Sequence, residues 1–258
     1  MKTTRFILLI AVSLLFSCLP KKPDISGTEV PAGPLVQAVD RQRLSVAALK
    51  ALATVEVDRR GRKRVFDSVG IVIDARRRLR IEVFGPLGQS ELALVWDGSE
   101  LLLRLPDDDR IVRPGQAGIE RMLGIGIEVQ DLCAVLSGTV MAIARPLDAR
   151  AYCTQDAACV LELPDGDMVR RVRVLPGPVT EPHDIRIAGM EAYRSDNLVY
   201  RARYEGMQEL SRVLLPRTIV LENPERGMRV TIEYADVDVN TPISEDAFAL
   251  AGSEAGAP

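Results

Sequence analysis

LRIEVFGPLGQSELALVW, residues 79–96, is the stretch that decides how the rest of the chain is read. Apolar residues alternate with polar ones over 79–84 and again over 91–96, which is the period of a half-buried strand. Gly85, Pro86 and Gly88 between the two runs supply a tight turn, so the strands are antiparallel neighbours. Upstream, residues 54–58 and 65–74 alternate on either side of the charged, Gly-containing turn Arg59-Arg60-Gly61-Arg62. Downstream, Asp97-Gly98 turns the chain into a further strand at 101–105. Residues 54–113 are therefore expected to form one continuous antiparallel meander.

Outward from that meander the period changes. Residues 35–52 carry apolar side chains on one helical face, interrupted by the polar run 40–43. Within 128–137, Val129, Leu132, Cys133 and Leu136 form a single stripe, with Gly138 where a C-terminal cap belongs. The stripe makes Cys133 a small core residue. Strands are expected again at 159–163, 168–175, 184–187, 198–204, 217–222 and 228–237, separated by Pro/Asp/Asn/Gly turns. About ten strands with two or three helices indicate an α+β fold on one large antiparallel sheet. Leu101-Leu102-Leu103 is apolar on both faces, so that sheet must be covered or must curl. Residues 251–258 are expected to be a disordered tail.

The first residues address the chain to a membrane surface. Lys2 and Arg5 precede an apolar run over 6–16, shorter than the roughly 20 residues a bilayer-spanning helix needs. Leu15-Phe16-Ser17-Cys18 resembles the lipobox of bacterial lipoproteins. The resemblance implies a signal peptide over 1–17 and a mature chain whose first residue, Cys18, carries a diacylglyceryl group and an amide-linked third chain. Two or more acyl chains make a durable anchor. Leu19 and Pro20 lack the acidic residue that resembles an inner-membrane retention signal, so an outer-membrane anchor facing the periplasm is expected. The Pro- and Gly-rich stretch 18–34 reads as a flexible tether, and 35–250 as a single domain.

Composition and motifs exclude several function classes. With 33 Lys+Arg against 36 Asp+Glu, nothing recruits nucleic acid. Cys153 and Cys159 close a short loop in an oxidising compartment and leave open a disulfide or two thiols. Their spacing, with no His nearby, is a poor metal pattern, and no cofactor is expected beyond the lipid on Cys18. The sequence lacks G-x-S-x-G, H-E-x-x-H and a phosphate-cradling glycine loop, and its one histidine, His183, reads as a surface residue. No enzymatic activity is expected. The basic clusters 59–64 and 76–80 could attract anionic head groups, but the interspersed acids favour an ordinary solvated face.

Residues 80–94 (RIEVFGPLGQSELAL), 119–138 (IERMLGIGIEVQDLCAVLSG), Leu215-Pro216-Arg217 and 237–242 (VDVNTP), in that order, resemble the LolA/LolB-like lipoprotein carriers and receptors, on the LolB side. The similarity spans about 35–248. It implies an unclosed, curved half-barrel with helices as a lid over an apolar cavity. It also implies an outer-membrane lipoprotein that receives acylated lipoproteins or another lipid, with a periplasmic LolA-like carrier as donor; a monomer is expected, though the sequence does not decide oligomeric state. Leu87, in the turn Gly85-Pro86-Leu87-Gly88, matches a protruding leucine that hands lipid to the bilayer; the turn alone leaves open a Leu87 folded back on the sheet. The cavity residues would be Ile81, Val83, Leu92, Leu94, Trp96, Leu101, Leu103, Leu132 and Leu136, for which ordinary core is the competing reading. The segment 152–159 with its two cysteines and the 4% aromatic content depart from the family. Those departures would fit a relative with another cargo. The alternative function is a scaffold or sensor that binds a protein partner in the same groove, which a closed, filled core would favour over an open cavity of acyl-chain size.

Overall fold

The computed structural model describes residues 25–105, 108–115, 120, 124–177 and 185–250. The expectations for the signal peptide 1–17, Cys18, His183 and the tail 251–258 lie outside them. In chain order the elements are β1 (Thr28–Val30), α1 (Ala32–Ser45), β2 (Leu49–Arg59), β3 (Arg62–Ile73), β4 (Leu79–Phe84), β5 (Ser90–Trp96), β6 (Leu101–Leu105), β7 (Asp108–Val112) and α2 (Val129–Leu136). There follow β8 (Arg150–Cys153), β9 (Cys159–Asp165), β10 (Met168–Pro176), β11 (Ile185–Arg194), β12 (Asn197–Leu210), β13 (Val213–Asn223) and β14 (Met228–Val239). Short 3-10 turns stand at Pro146–Asp148 and Glu245–Phe248.

All fourteen strands belong to one antiparallel sheet, in the order β1-β8-β9-β10-β11-β12-β13-β14-β2-β3-β4-β5-β6-β7. Its edges, β1 and β7, do not pair with each other, so the sheet stays unclosed. Two meanders, β2–β7 and β8–β14, are joined where the last strand pairs with the second, Ile232 opposite Val55. Register shifts at Ala53/Val55, Val83/Phe84 and Tyr234/Asp236 mark bulges, which bend and twist a sheet.

Several local expectations change. The helix expected over 35–52 is α1, and it runs through 40–43 unbroken because Asp40 and Arg43 pair with each other at 2.7 Å, one turn apart. Asn240 then ends it, accepting from the Ala47 N–H at 2.8 Å and donating to the Ser45 carbonyl at 2.8 Å. Beyond that stop Leu49, Ala51 and Ala53 are buried in alternation, so the remainder of the expected helix is strand β2. The tether expected over 18–34 is also shorter. Thr28 pairs with Cys153 on β8, and α1 starts at Ala32, so the folded domain begins before residue 35.

One face of the sheet wraps both helices. Val36 and Val39 of α1 and nearly all of α2 are buried there against the inward residues of the strands. Gly138 ends α2 at φ +62°, its N–H donating to the Val135 carbonyl, and a Cβ at that position would lie 2.4 Å from Cδ of Pro216. Only glycine fits. The opposite face of β5 and β6 is covered too: Ala93, Val95 and Leu102 pack beneath Phe248 and Leu250. This is why 101–103 is apolar on both sides. The covering segment is fixed by Arg80, which donates to the carbonyls of Ala247 (3.2 Å) and Ala249 (3.1 Å), and by the Arg78 guanidinium 4.4 Å over the Phe248 ring.

Candidate functional site

A cavity of about 630 Å³ lies between α2 and the inward faces of β2, β3, β4, β5, β13 and β14. Its walls are Val55, Val57, Phe66, Val69, Ile71, Ile81, Val83, Leu92, Leu94, Leu221, Val230 and Ile232, with Leu132 and Leu136 as the roof. Two charged residues, Arg64 and Glu91, complete the lining, and both are exposed, so they mark where the cavity meets solvent. A predominantly apolar concavity of this size falls within the roughly 300–1,000 Å³ range of small-molecule sites. Of the nine expected cavity residues, Ile81, Val83, Leu92, Leu94, Leu132 and Leu136 line it. Trp96, Leu101 and Leu103 do not: Leu101 and Leu103 are buried core, and Trp96 packs against that core half-buried. Trp96 pairs with Leu79 and Leu101, away from the β4–β5 turn, where side chains fill the space.

The roof helix is held by polar contacts the sequence did not reveal. Asp131, at 0% exposure, receives two hydrogen bonds from Arg170 of β10, Nε at 2.9 Å and Nη2 at 3.2 Å. Asp165 takes a third at 3.1 Å. Burial alone would lower the Arg170 pKa, but the charge and hydrogen bonds of Asp131 outweigh it and the guanidinium is held more firmly protonated. The Tyr200 hydroxyl beside this pair is driven well above the usual phenol range, first by burial and then by the Asp131 charge. At the other end of α2, Tyr234 donates to the Leu136 carbonyl at 2.6 Å. Arg77, in the β3–β4 turn, donates to Ser137 Oγ (3.3 Å) and to the Arg43 carbonyl (3.2 Å), tying the ends of both helices together. Cys133 faces this stitch as a buried thiol pushed up to about 12 by burial. Such a thiol is not a nucleophile.

The β4–β5 turn stands beside the solvent end of the cavity. Gly85 and Gln89 close it, with the Gly88 N–H donating to the Gly85 carbonyl at 2.9 Å and Gly88 at φ +79°. Pro86 and Leu87 occupy the central positions, and Leu87 is 93% exposed, so it does not fold back on the sheet. Cys153 and Cys159 are joined in a disulfide across the β8–β9 turn. Among the described residues no group of His, Cys, Asp or Glu could hold a metal ion, and no helix is long and apolar enough to cross a membrane.

No family model matches the sequence, and no curated relative matches it. Solved structures do resemble it. A DUF1329 family protein from Desulfovibrio piger superposes with TM-score 0.62 at 11% identity, covering 84% of this chain and 95% of its own. A domain from Vibrio parahaemolyticus described as a putative outer membrane lipoprotein-sorting protein domain gives 0.59 at 12% identity over 83% and 95%. A LolA superfamily protein from Nitrosomonas europaea gives 0.57 at 14% identity over 85% and 98%. At such identities the likeness is one of architecture: the chain has the LolA-like fold, an unclosed antiparallel sheet wrapped around two helices.

Proposed function

We propose that this chain is an outer-membrane lipoprotein, anchored through lipid on Cys18 and facing the periplasm, that takes acyl chains into the cavity beneath α2 and passes them to the bilayer. The observation that carries this reading is the cavity itself, whose walls are apolar throughout and whose charged residues, Arg64 and Glu91, are confined to the solvent end. A chain of fifteen or so methylenes left in water costs on the order of 12 kcal/mol at ~0.8 kcal/mol each, so a protein that handles it must offer such a lining. The exposed Leu87 beside that end gives the transferred chain an apolar step towards the bilayer. The cargo is an acylated lipoprotein or another lipid, and a LolA-like periplasmic carrier is the donor. The lipoprotein-sorting description of the Vibrio neighbour agrees with this assignment. The protein works as a monomer and catalyses no reaction. A scaffold role for the same fold would be better served by a filled interior than by an apolar cavity.

Native mass spectrometry of the mature chain carrying Cys18→Ala tests the reading. Co-purified lipid is expected. A lipid-free protein that also accepts no acylated lipoprotein from a periplasmic carrier would overturn it. For Leu87, a Leu87→Glu variant should still bind cargo but release it to membranes more slowly. Delivery at the wild-type rate would remove Leu87 from the mechanism.

A further inference from the structure

The two basic clusters, 59–64 and 76–80, have different fates in the fold. In the second, Arg76 and Arg78 pair with Glu245, Arg78 also with Asp74, and Arg80 with Glu82. Arg77 is committed to the helix ends. That cluster serves structure. In the first, only Lys63 is engaged, by Glu56 at 2.7 Å. Among the described residues Arg59, Arg60, Arg62 and Arg64 take part in no ion pair, and every residue from Arg59 to Val65 is exposed. Residues 58–64 (DRRGRKR) hold five cations and one acid, and Asp58 is occupied by the Gly61 N–H at 2.7 Å. Four positive charges in excess are thus concentrated on the tip of the β2–β3 hairpin.

The hairpin's position gives that charge a direction. β3 pairs with β4 only from Val69 onward, so its first residues run free of the neighbouring strand and leave a notch between the hairpin and the Leu87 turn. Arg64 stands on one side of the notch and Glu91 on the other, both at the solvent end of the cavity. Among the described residues the two most exposed large apolar side chains, Leu87 at 93% and Leu147 at 98%, lie at the same end of the sheet. Leu147 does so because it precedes β8, whose first residue, Arg150, pairs with Glu162 near the β9–β10 turn.

We propose that the β2–β3 hairpin docks this protein on an anionic bilayer surface, with Arg59, Arg60 and Arg62 against the head groups and the notch turned towards the lipid. Charge complementarity selects the occupant. Unpaired guanidinium groups match phosphate oxygens, and apolar tips at the same end of the sheet suit a bilayer better than an acidic protein surface, which would leave Leu87 and Leu147 in water. The inference shares its membrane-facing orientation with the transfer reading but not its cavity.

Flotation of the mature Cys18→Ala chain with phosphatidylcholine vesicles, with and without phosphatidylglycerol, is the test. Each Arg near an anionic surface contributes about a fivefold gain in binding, so Arg59→Glu/Arg60→Glu/Arg62→Glu, which reverses three charges, should weaken association with the anionic vesicles by at least ~100-fold. The matching triple Lys variant should keep it, and added salt should abolish it. Equal binding to neutral vesicles, undiminished binding by the triple Glu variant, or binding to neither vesicle, as a protein partner would give, would each overturn the proposal. Lipid occupancy of the cavity, read on the same triple Glu variant by mass spectrometry, is expected to be unchanged. That separates a failure of docking from a failure of lipid reception.

Discussion

Taking a carboxylate out of water costs several kcal/mol unless a partner and hydrogen bonds replace the solvent, and Asp131 is buried on the very helix that roofs the cavity. Arg170 answers it, so removing the carboxylate strands a cation that is itself almost fully buried. Asp131→Ala should lower unfolding stability by about 3 kcal/mol, less than a fully isolated charge would cost because Asp165 still faces Arg170. The double variant Asp131→Leu/Arg170→Met should recover much of that loss. Urea unfolding measures both, and an alanine variant as stable as the parent would show that the pair does not hold the roof. Glu222 on the opposite sheet face is a second polar node, with Arg203 at 2.6 Å, Arg229 at 3.1 Å and Arg201 at 3.6 Å. Burial opposes its ionisation, but the arginines outweigh it and depress its pKa below the ordinary 4.5. A depressed carboxylate stabilises the fold above its unfolded pKa and loses that contribution as pH falls through the folded value. Stability should therefore decline on acidification below about 4.5, and less steeply in Glu222→Gln, in thermal melts recorded across that range.

At the scale of elements, the strands of the first meander were legible because their turns are short and their alternation is strict. The start of β2 is not legible in the sequence because Val46, Leu49 and Leu52 fit a helical stripe as well as a strand. What decides between them is Asn240, nearly two hundred residues away, which stops α1 at Ser45. The strand β1 is three residues long, and its pairing with β8 is fixed by the distant 150–153 segment, so no local pattern announces it. The apolar run at 101–103 correctly signalled a covered sheet but not its cover, which comes from the C-terminal stretch over 243–250. Phe248→Ala should cost about 3 kcal/mol by leaving Ala93, Val95 and Leu102 under a void. A chain ending at 242 should lose more and aggregate, since it exposes the apolar face of β5 and β6. Differential scanning calorimetry and size-exclusion chromatography report the two effects. A Phe248→Ala protein melting at the wild-type temperature would mean that the segment merely rests on the sheet.

At the scale of the whole molecule, the cavity depends on a pairing between strands far apart in the chain, β14 with β2, which no local pattern announces. It brings Leu221, Val230 and Ile232 from the second meander opposite Ile81, Val83 and Leu92 from the first. Alternation grouped the residues that share a face of β4 and β5, but not which face looks into a cavity, the wall opposite it, or how far along the strands the space stays empty. The difference between a cavity and a filled core is itself testable by volume. Inserting a larger side chain into a close-packed interior costs about 1–3 kcal/mol, whereas the same insertion into an existing void costs little. Val83→Trp and Leu132→Phe both point new volume into the space beneath α2. If that space receives acyl chains, the variants should unfold at urea concentrations close to the wild type, within about 1 kcal/mol, while losing most of the co-purified lipid. Variants that lose stability and keep their lipid would place the ligand elsewhere on the molecule. Variants that keep both would mean that the cavity is larger than its cargo needs. The combination of retained stability and lost occupancy is therefore the outcome that ties the unfilled volume, rather than the fold that surrounds it, to lipid reception.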